Sequence, residues 1–255
     1  MASKKNIPLT GEVLHVTTKE RTINCLYSPN AKLISPRIQL VAIEDIPQIR
    51  SQQILLPRHV YVGDVLLRHP YECDMYISAD TAAYNIRFAK YCKIRRIAQL
   101  LGATGCVIEE AIEDIERRSI DANGNIKYEV LESSLDINSQ HELNKTMGIS
   151  VHNVFKGITV ISAASYQEAQ NLALANGLWG DPMVRSLIEM RSPSNVNGLL
   201  EDCYHFNMTR EANELLDVAF SLNVLDGLFH LGLSMKEALS KRETINLSIK
   251  FEFPN

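Results

Sequence analysis

The chain has 255 residues, 45% of them hydrophobic and 22% charged, with 12 Gly, 9 Pro and 1 Trp. Those proportions exclude a disordered tail, a collagen-like repeat and a coiled-coil rod, and a chain of this length buries roughly 73% of its extended surface, enough for one large core or two modest ones. The formal net charge of −4 argues against a dedicated nucleic-acid coat.

The start, Met1 to Pro8, is basic but has no apolar run behind it, so no secretory signal is expected. No apolar stretch approaches the ~20 residues that span a bilayer, so neither a transmembrane segment nor a membrane partner is expected. Cys25, Cys73, Cys92, Cys106 and Cys203 are odd in number and scattered, with no Cys-x-x-Cys spacing. They read as unbridged thiols of a cytoplasmic protein, not as a disulfide framework or a zinc knuckle.

In chain order, 12–16 and 22–27 are short strand candidates, followed by a Pro-Asn loop over 28–35. The near-continuous apolar runs at 37–43 and 59–67 suggest strands covered on both faces. A long helix follows over 79–101, with Ser78 or Asp80 at its start and Gly102 in the left-handed position at its end. Ile94, Ile97, Ala98 and Leu101 share one side of it, away from Arg95, Arg96 and Gln99. The segment 105–118 is ambiguous: Ile108, Ala111, Ile112 and Ile115 recur at helical spacing. A strand leading through Asn123-Gly124 into 126–130 is the other reading, since Asn-Gly favours a tight hairpin. The expectation adopted is a strand at 105–109 merging into helix or irregular structure.

The second half is better punctuated. Ser165 with Glu168 reads as a capping box opening a helix that Gly177 closes. Asp181-Pro182 opens a helix over 183–191 that Pro193 stops. Thr209 is expected to cap a helix to about 222, with Ala212, Leu215, Leu216, Ala219 and Phe220 inward, and Ser234 with Glu237 to cap a short one. Residues 244–253 alternate strictly between apolar and polar, the pattern of a strand with one face on a core. The expected fold class is α+β, a mostly antiparallel or mixed sheet with about five helices and this C-terminal strand at an edge or in the core. One domain over 1–255 is expected, the one candidate boundary lying near 192–198.

No Gly-rich phosphate loop, nucleophile elbow, metalloprotease motif or kinase motif occurs, so no cofactor is expected. Two clusters could still carry chemistry. Glu201, Cys203 and His205 would share one face of a strand, where a thiol beside an imidazole and a carboxylate can form an activated nucleophile. Yet i and i+2 neighbours lie about 6.5 Å apart on a strand, too far for a direct Cys–His hydrogen bond. His69, Glu72 and Asp74, with Cys73, crowd a loop and could take a ligand, although their spacing matches no familiar metal pattern. Five basic residues between Arg87 and Arg96 scatter around the long helix instead of forming a phosphate-binding stripe, so nucleic acid is not an expected partner.

On that helix Tyr84, Phe88 and Tyr91 recur at spacings of four and three. They form an aromatic stripe apart from the aliphatic one, with Arg87 at its border and Arg95 one turn on. Aromatics and Arg are enriched at interfaces, so these five residues are the candidate surface for protein partners, self-association first. The functional reading is a cytoplasmic, non-enzymatic binding or assembly protein in a homo-oligomer or multiprotein complex. The alternative is a small hydrolase or transferase at His69–Asp74 or Glu201–His205. A membrane-rearranging, pore-forming-type protein ranks below both, because the charges through 109–118 spoil the alternation a bilayer-facing strand needs.

Overall fold

A computed structural model describes residues 7–120, 126–130, 149–195, 199–207, 210–224, 229 and 231–254. Among them, seven α-helices and nine strands form two sheets, an α+β architecture. The chain divides into two compact units: 1–86, 117–129 and 210–242 make the first, and 87–116, 130–209 and 243–255 the second. Residues 192–195 fall inside the second unit, and 196–198 lie outside the described residues. No helix among the described residues is long and apolar enough to cross a membrane, and the five cysteines form no disulfide.

In the first unit, β1 (Val13–Thr17) is buried along its whole length, as a near-continuous apolar strand must be. It runs parallel to β2 (Ile38–Ala42) and antiparallel to β3 (Val65–Arg68), which turns back into β4 (Tyr76–Ser78), giving the order β2-β1-β3-β4. Leu14, Val16, Val41, Leu66 and Tyr76 form one buried cluster with Ile46 and Ile49 of α2 (Ile46–Arg50).

Two strand expectations fail here for local reasons. Residues 22–27 belong to helix α1 (Lys19–Leu26), because Thr18 Oγ1 accepts the Arg21 N–H at 3.3 Å and caps it. With that cap in place, Lys19-Glu20-Arg21 outweigh the β preference of Thr22-Ile23. The strand expected over 59–67 shrinks to β3, because Asp64 accepts the Tyr61 N–H at 2.8 Å and Gly63 takes φ +97, closing a turn.

Helix α3 (Ala82–Leu100) starts three residues later than expected, and Ile94, Ile97, Ala98 and Leu101 are fully buried. The strand expected at 105–109 is present, but it does not merge into helix: Gly105–Ile120 is one strand, β5, as in the other reading. Its first five residues pair antiparallel with β7 (Ser150–Val154). Strand pairing overrides helical spacing because every backbone group of the ladder gains a partner. The sheet order is β6-β5-β9-β8, with β6 at Ile126–Val130; the Asn123-Gly124 turn lies outside the described residues.

Two helix starts also move. Helix α4 (Ala163–Ala175) is capped by Ser162, whose Oγ accepts the Ser165 N–H at 3.0 Å, and Glu168 reaches Arg96 at 3.2 Å instead of folding back. Helix α5 (Pro182–Met190) opens as expected, Asp181 accepting the Met183 and Val184 N–H groups at 3.0 and 3.5 Å. Helix α6 (Arg210–Val224) buries Leu215, Leu216, Ala219 and Phe220; its expected cap Thr209 and the Ala212 side chain lie outside the described residues. Helix α7 (Leu233–Ser240) starts from Gly232, which leaves Ser234 inside the first turn.

The C-terminal strand β9 (Lys241–Glu252) is not an edge: it lies between β5 and β8 (Glu201–Asn207). Ile245, Leu247, Ile249 and Phe251 are fully buried, so the alternation maps onto one core face. Phe251→Ala is expected to cost about 3–5 kcal/mol in urea denaturation, and removal of 244–255 to abolish the cooperative transition. A truncated chain that melts like the full one would contradict this.

Candidate functional site

The residues singled out in the sequence separate by exposure. His69 is buried in the β3–β4 turn, its Nδ1 accepting the Tyr71 N–H at 3.2 Å, while Glu72 and Asp74 are exposed on the same turn. Among the described residues no group of three or more His, Cys, Asp or Glu could hold a metal ion. On β8, Glu201 and Cys203 are exposed, and the Glu201 carboxylate lies 3.1 Å from Lys250 Nζ; the His205 side chain lies outside the described residues.

The aromatic stripe of α3 also splits. Tyr84 and Phe88 are exposed, whereas Arg87 and Tyr91 are buried. The Tyr91 hydroxyl donates to Glu110 at 2.7 Å, and Arg87 Nε lies 3.2 Å from the same carboxylate. Lys90 joins this buried face with its Nζ 3.0 Å from Asp181. Arg95, half-buried, donates to Asn153 at 3.4 Å. Arg87 and Tyr91 are thus turned inward, because a buried carboxylate on β5 needs their donors.

A different place offers an open volume. Helix α3 stops at Gly102, whose φ of +82 is the left-handed one and where a Cβ would collide with the Ile158 carbonyl. The four residues that follow the helix act as a docking rail for the rest of the unit. Leu101 O accepts Arg191 Nε at 3.3 Å, Gly102 O accepts the Ile158 N–H at 3.0 Å, and Thr104 O accepts the Phe155 N–H at 2.8 Å. The loop after β7 is thereby fixed opposite the end of α5. Between them lies a cavity of about 250 Å³, lined by Thr159, Val160, Ile161, Arg191, Ser192, Pro193 and Asn195.

Arg191 is the one charged lining residue. It is 6% exposed, its Nη1 donates to Leu199 O at 2.9 Å, and its guanidinium carbon lies 4.3 Å from the centre of the Phe253 ring. A guanidinium has five N–H donors, so three remain without a partner among the described residues. Burial alone pushes its pKa down, with no carboxylate holding it up. Its seat at the C-terminal end of α5 supplies at most about half a compensating charge.

The other buried cations show how unusual this is. Among the described residues the buried Lys and Arg are Arg87, Lys90, Arg118 and Arg191. The first two face Glu110 and Asp181. Arg118 closely resembles Arg191: two carbonyls, Leu239 O and Lys241 O at 3.0 Å each, and the Phe220 ring at 5.0 Å. It differs in having Asp217 as its carboxylate. Where Arg118 meets an acid, Arg191 borders a cavity.

Sequence reasoning placed Arg191 only as the last residue of a helix. Its isolation depends on residues 90 and 62 positions away, at 101 and 253, so no local pattern signals it. No protein-family model matches this chain, and comparison with curated proteins and with solved structures finds no match.

The thiols supply a direct check on the site chemistry. Burial pushes the Cys106 pKa up to about 12, so it stays protonated and unreactive, whereas Cys73 and Cys203 are exposed to reagent. Iodoacetamide at about pH 8 is expected to alkylate Cys73 and Cys203 but not Cys106 in the folded protein, read by peptide mass spectrometry. Alkylation of native Cys106 at the same rate would contradict its packing.

Proposed function

We propose that this chain works by binding and not by catalysis, and that the Arg191 cavity holds a small, negatively charged ligand. The observation that carries the reading is a guanidinium 94% shielded from solvent with no carboxylate partner among the described residues, beside open volume. Burying an uncompensated charge costs several kcal/mol. An anion entering the cavity offsets that cost, which favours binding of one there. The places expected for a hydrolase or transferase lend no such support: His69 is buried while Glu72 and Asp74 are exposed, and Glu201 is engaged by Lys250.

Assembly with further copies of the chain is the second part of the reading, and it now rests on Phe88. That ring is 43% exposed on a helix whose Tyr91, one turn on, is fully committed to the interior. The partner surface is then smaller than the five-residue stripe and leaves Arg87 and Tyr91 out of it.

One measurement addresses both. Native mass spectrometry of the full chain is expected to show a multiple of 28.7 kDa carrying a small adduct that denaturation releases. The adduct should vanish in Arg191→Lys, and Phe88→Glu should fall to the single-chain mass while remaining folded. A bare single-chain mass in the wild type would overturn both parts.

A further inference from the structure

We propose that the ligand of the Arg191 cavity is a monocarboxylate with a short aliphatic body. This rests on the binding reading above and narrows it by charge, shape and size. Charge comes first. Among the described residues Arg191 is the only Lys, Arg or His lining the cavity, so they offer it a single positive charge. A phosphate monoester carries about 1.5–2 negative charges near neutral pH and would leave up to about one uncompensated in a confined volume. A carboxylate carries one, and its planar pair of oxygens matches the planar guanidinium.

The remaining walls are mixed: Thr159 adds a hydroxyl, and two further polar side chains are engaged by the chain itself. Ser192 Oγ already bonds Ser194 Oγ at 2.8 Å, and the Asn195 side-chain nitrogen donates to Met190 O at 2.9 Å. Those two polar groups are therefore occupied by the chain itself. Val160, Ile161 and Pro193 supply apolar wall. Ile161 is buried, whereas Val160 is 82% exposed and so sits at the mouth. The volume of about 250 Å³ falls just below the ~300 Å³ at which drug-sized pockets begin. A site of that size suits a small acid, for which hexanoate is a fitting probe.

The test titrates the full-length protein by isothermal calorimetry with three probes at constant ionic strength: hexanoate, hexanamide and inorganic phosphate. Hexanoate is expected to bind one per chain, about tenfold or more tighter than hexanamide, the value of a charge-assisted hydrogen bond over a neutral one. Phosphate should bind more weakly than hexanoate. Val160→Glu, at an exposed rim position where folding is not at stake, should weaken hexanoate by about tenfold, and Val160→Lys should strengthen it by a similar factor. Both variants should leave hexanamide unchanged. Equal binding of acid and amide, tighter binding of phosphate, or indifference to the Val160 charge would each overturn the monocarboxylate assignment. If hexanoate fails while a retained adduct is lost in Arg191→Lys, this assignment falls and the binding reading stands. If hexanoate fails and no adduct is retained, both fall.

Discussion

The guanidinium of Arg191 reaches Leu101 at the end of α3, Leu199 ahead of β8 and the Phe253 ring beyond β9. Three separate stretches of the second unit are therefore positioned by one side chain. The same short stretch after α3 receives the loop that follows β7 through Gly102 and Thr104, and Thr104 N–H donates to Glu252 O at 2.7 Å. This convergence depends on the left-handed turn at Gly102, since a side chain there would meet the Ile158 carbonyl. The cavity is the space left between those fixed backbones, and its one charge is the group that fixes them.

Arg118 and Arg191 sit in similar settings and differ in whether a carboxylate of the described residues meets them. Both lie against an aromatic ring and donate to two carbonyls. Carbonyl dipoles and a ring face orient a guanidinium well, but neither carries the unit negative charge that neutralises it. Asp217 does so for Arg118, and the motif is complete within the chain. For Arg191 no carboxylate among the described residues plays that part, and burial pushes its pKa down.

Much of the scaffold was legible in the sequence wherever one local pattern dominates. The period-two run at 244–253 maps onto the buried face of β9, and Ile94, Ile97, Ala98 and Leu101 onto the buried face of α3. Gly102 and Asp181-Pro182 mark real helix ends. Legibility failed where two local signals compete. Thr22-Ile23 favours a strand, but the Thr18 cap starts a helix. Ile108 and its helically spaced neighbours lie on β5, because pairing with distant strands decides the outcome. Ser165 and Ser234 carry the capping pattern, yet the helices begin earlier, at Ser162 and Gly232. The site was the least legible part. An arginine after a helix is ordinary, and only the tertiary structure shows that no carboxylate among the described residues reaches it.

The central claim is that Arg191, unlike Arg118, holds a buried positive charge that no carboxylate among the described residues neutralises. The most direct measurement is an anomalous-difference map from crystals of the full chain soaked in bromide. The account predicts a bromide peak within about 3.5 Å of the Arg191 guanidinium, the reach of a charge-assisted contact, and none at Arg118. A map with no peak at Arg191, or with a carboxylate of the chain itself seated there, would contradict it.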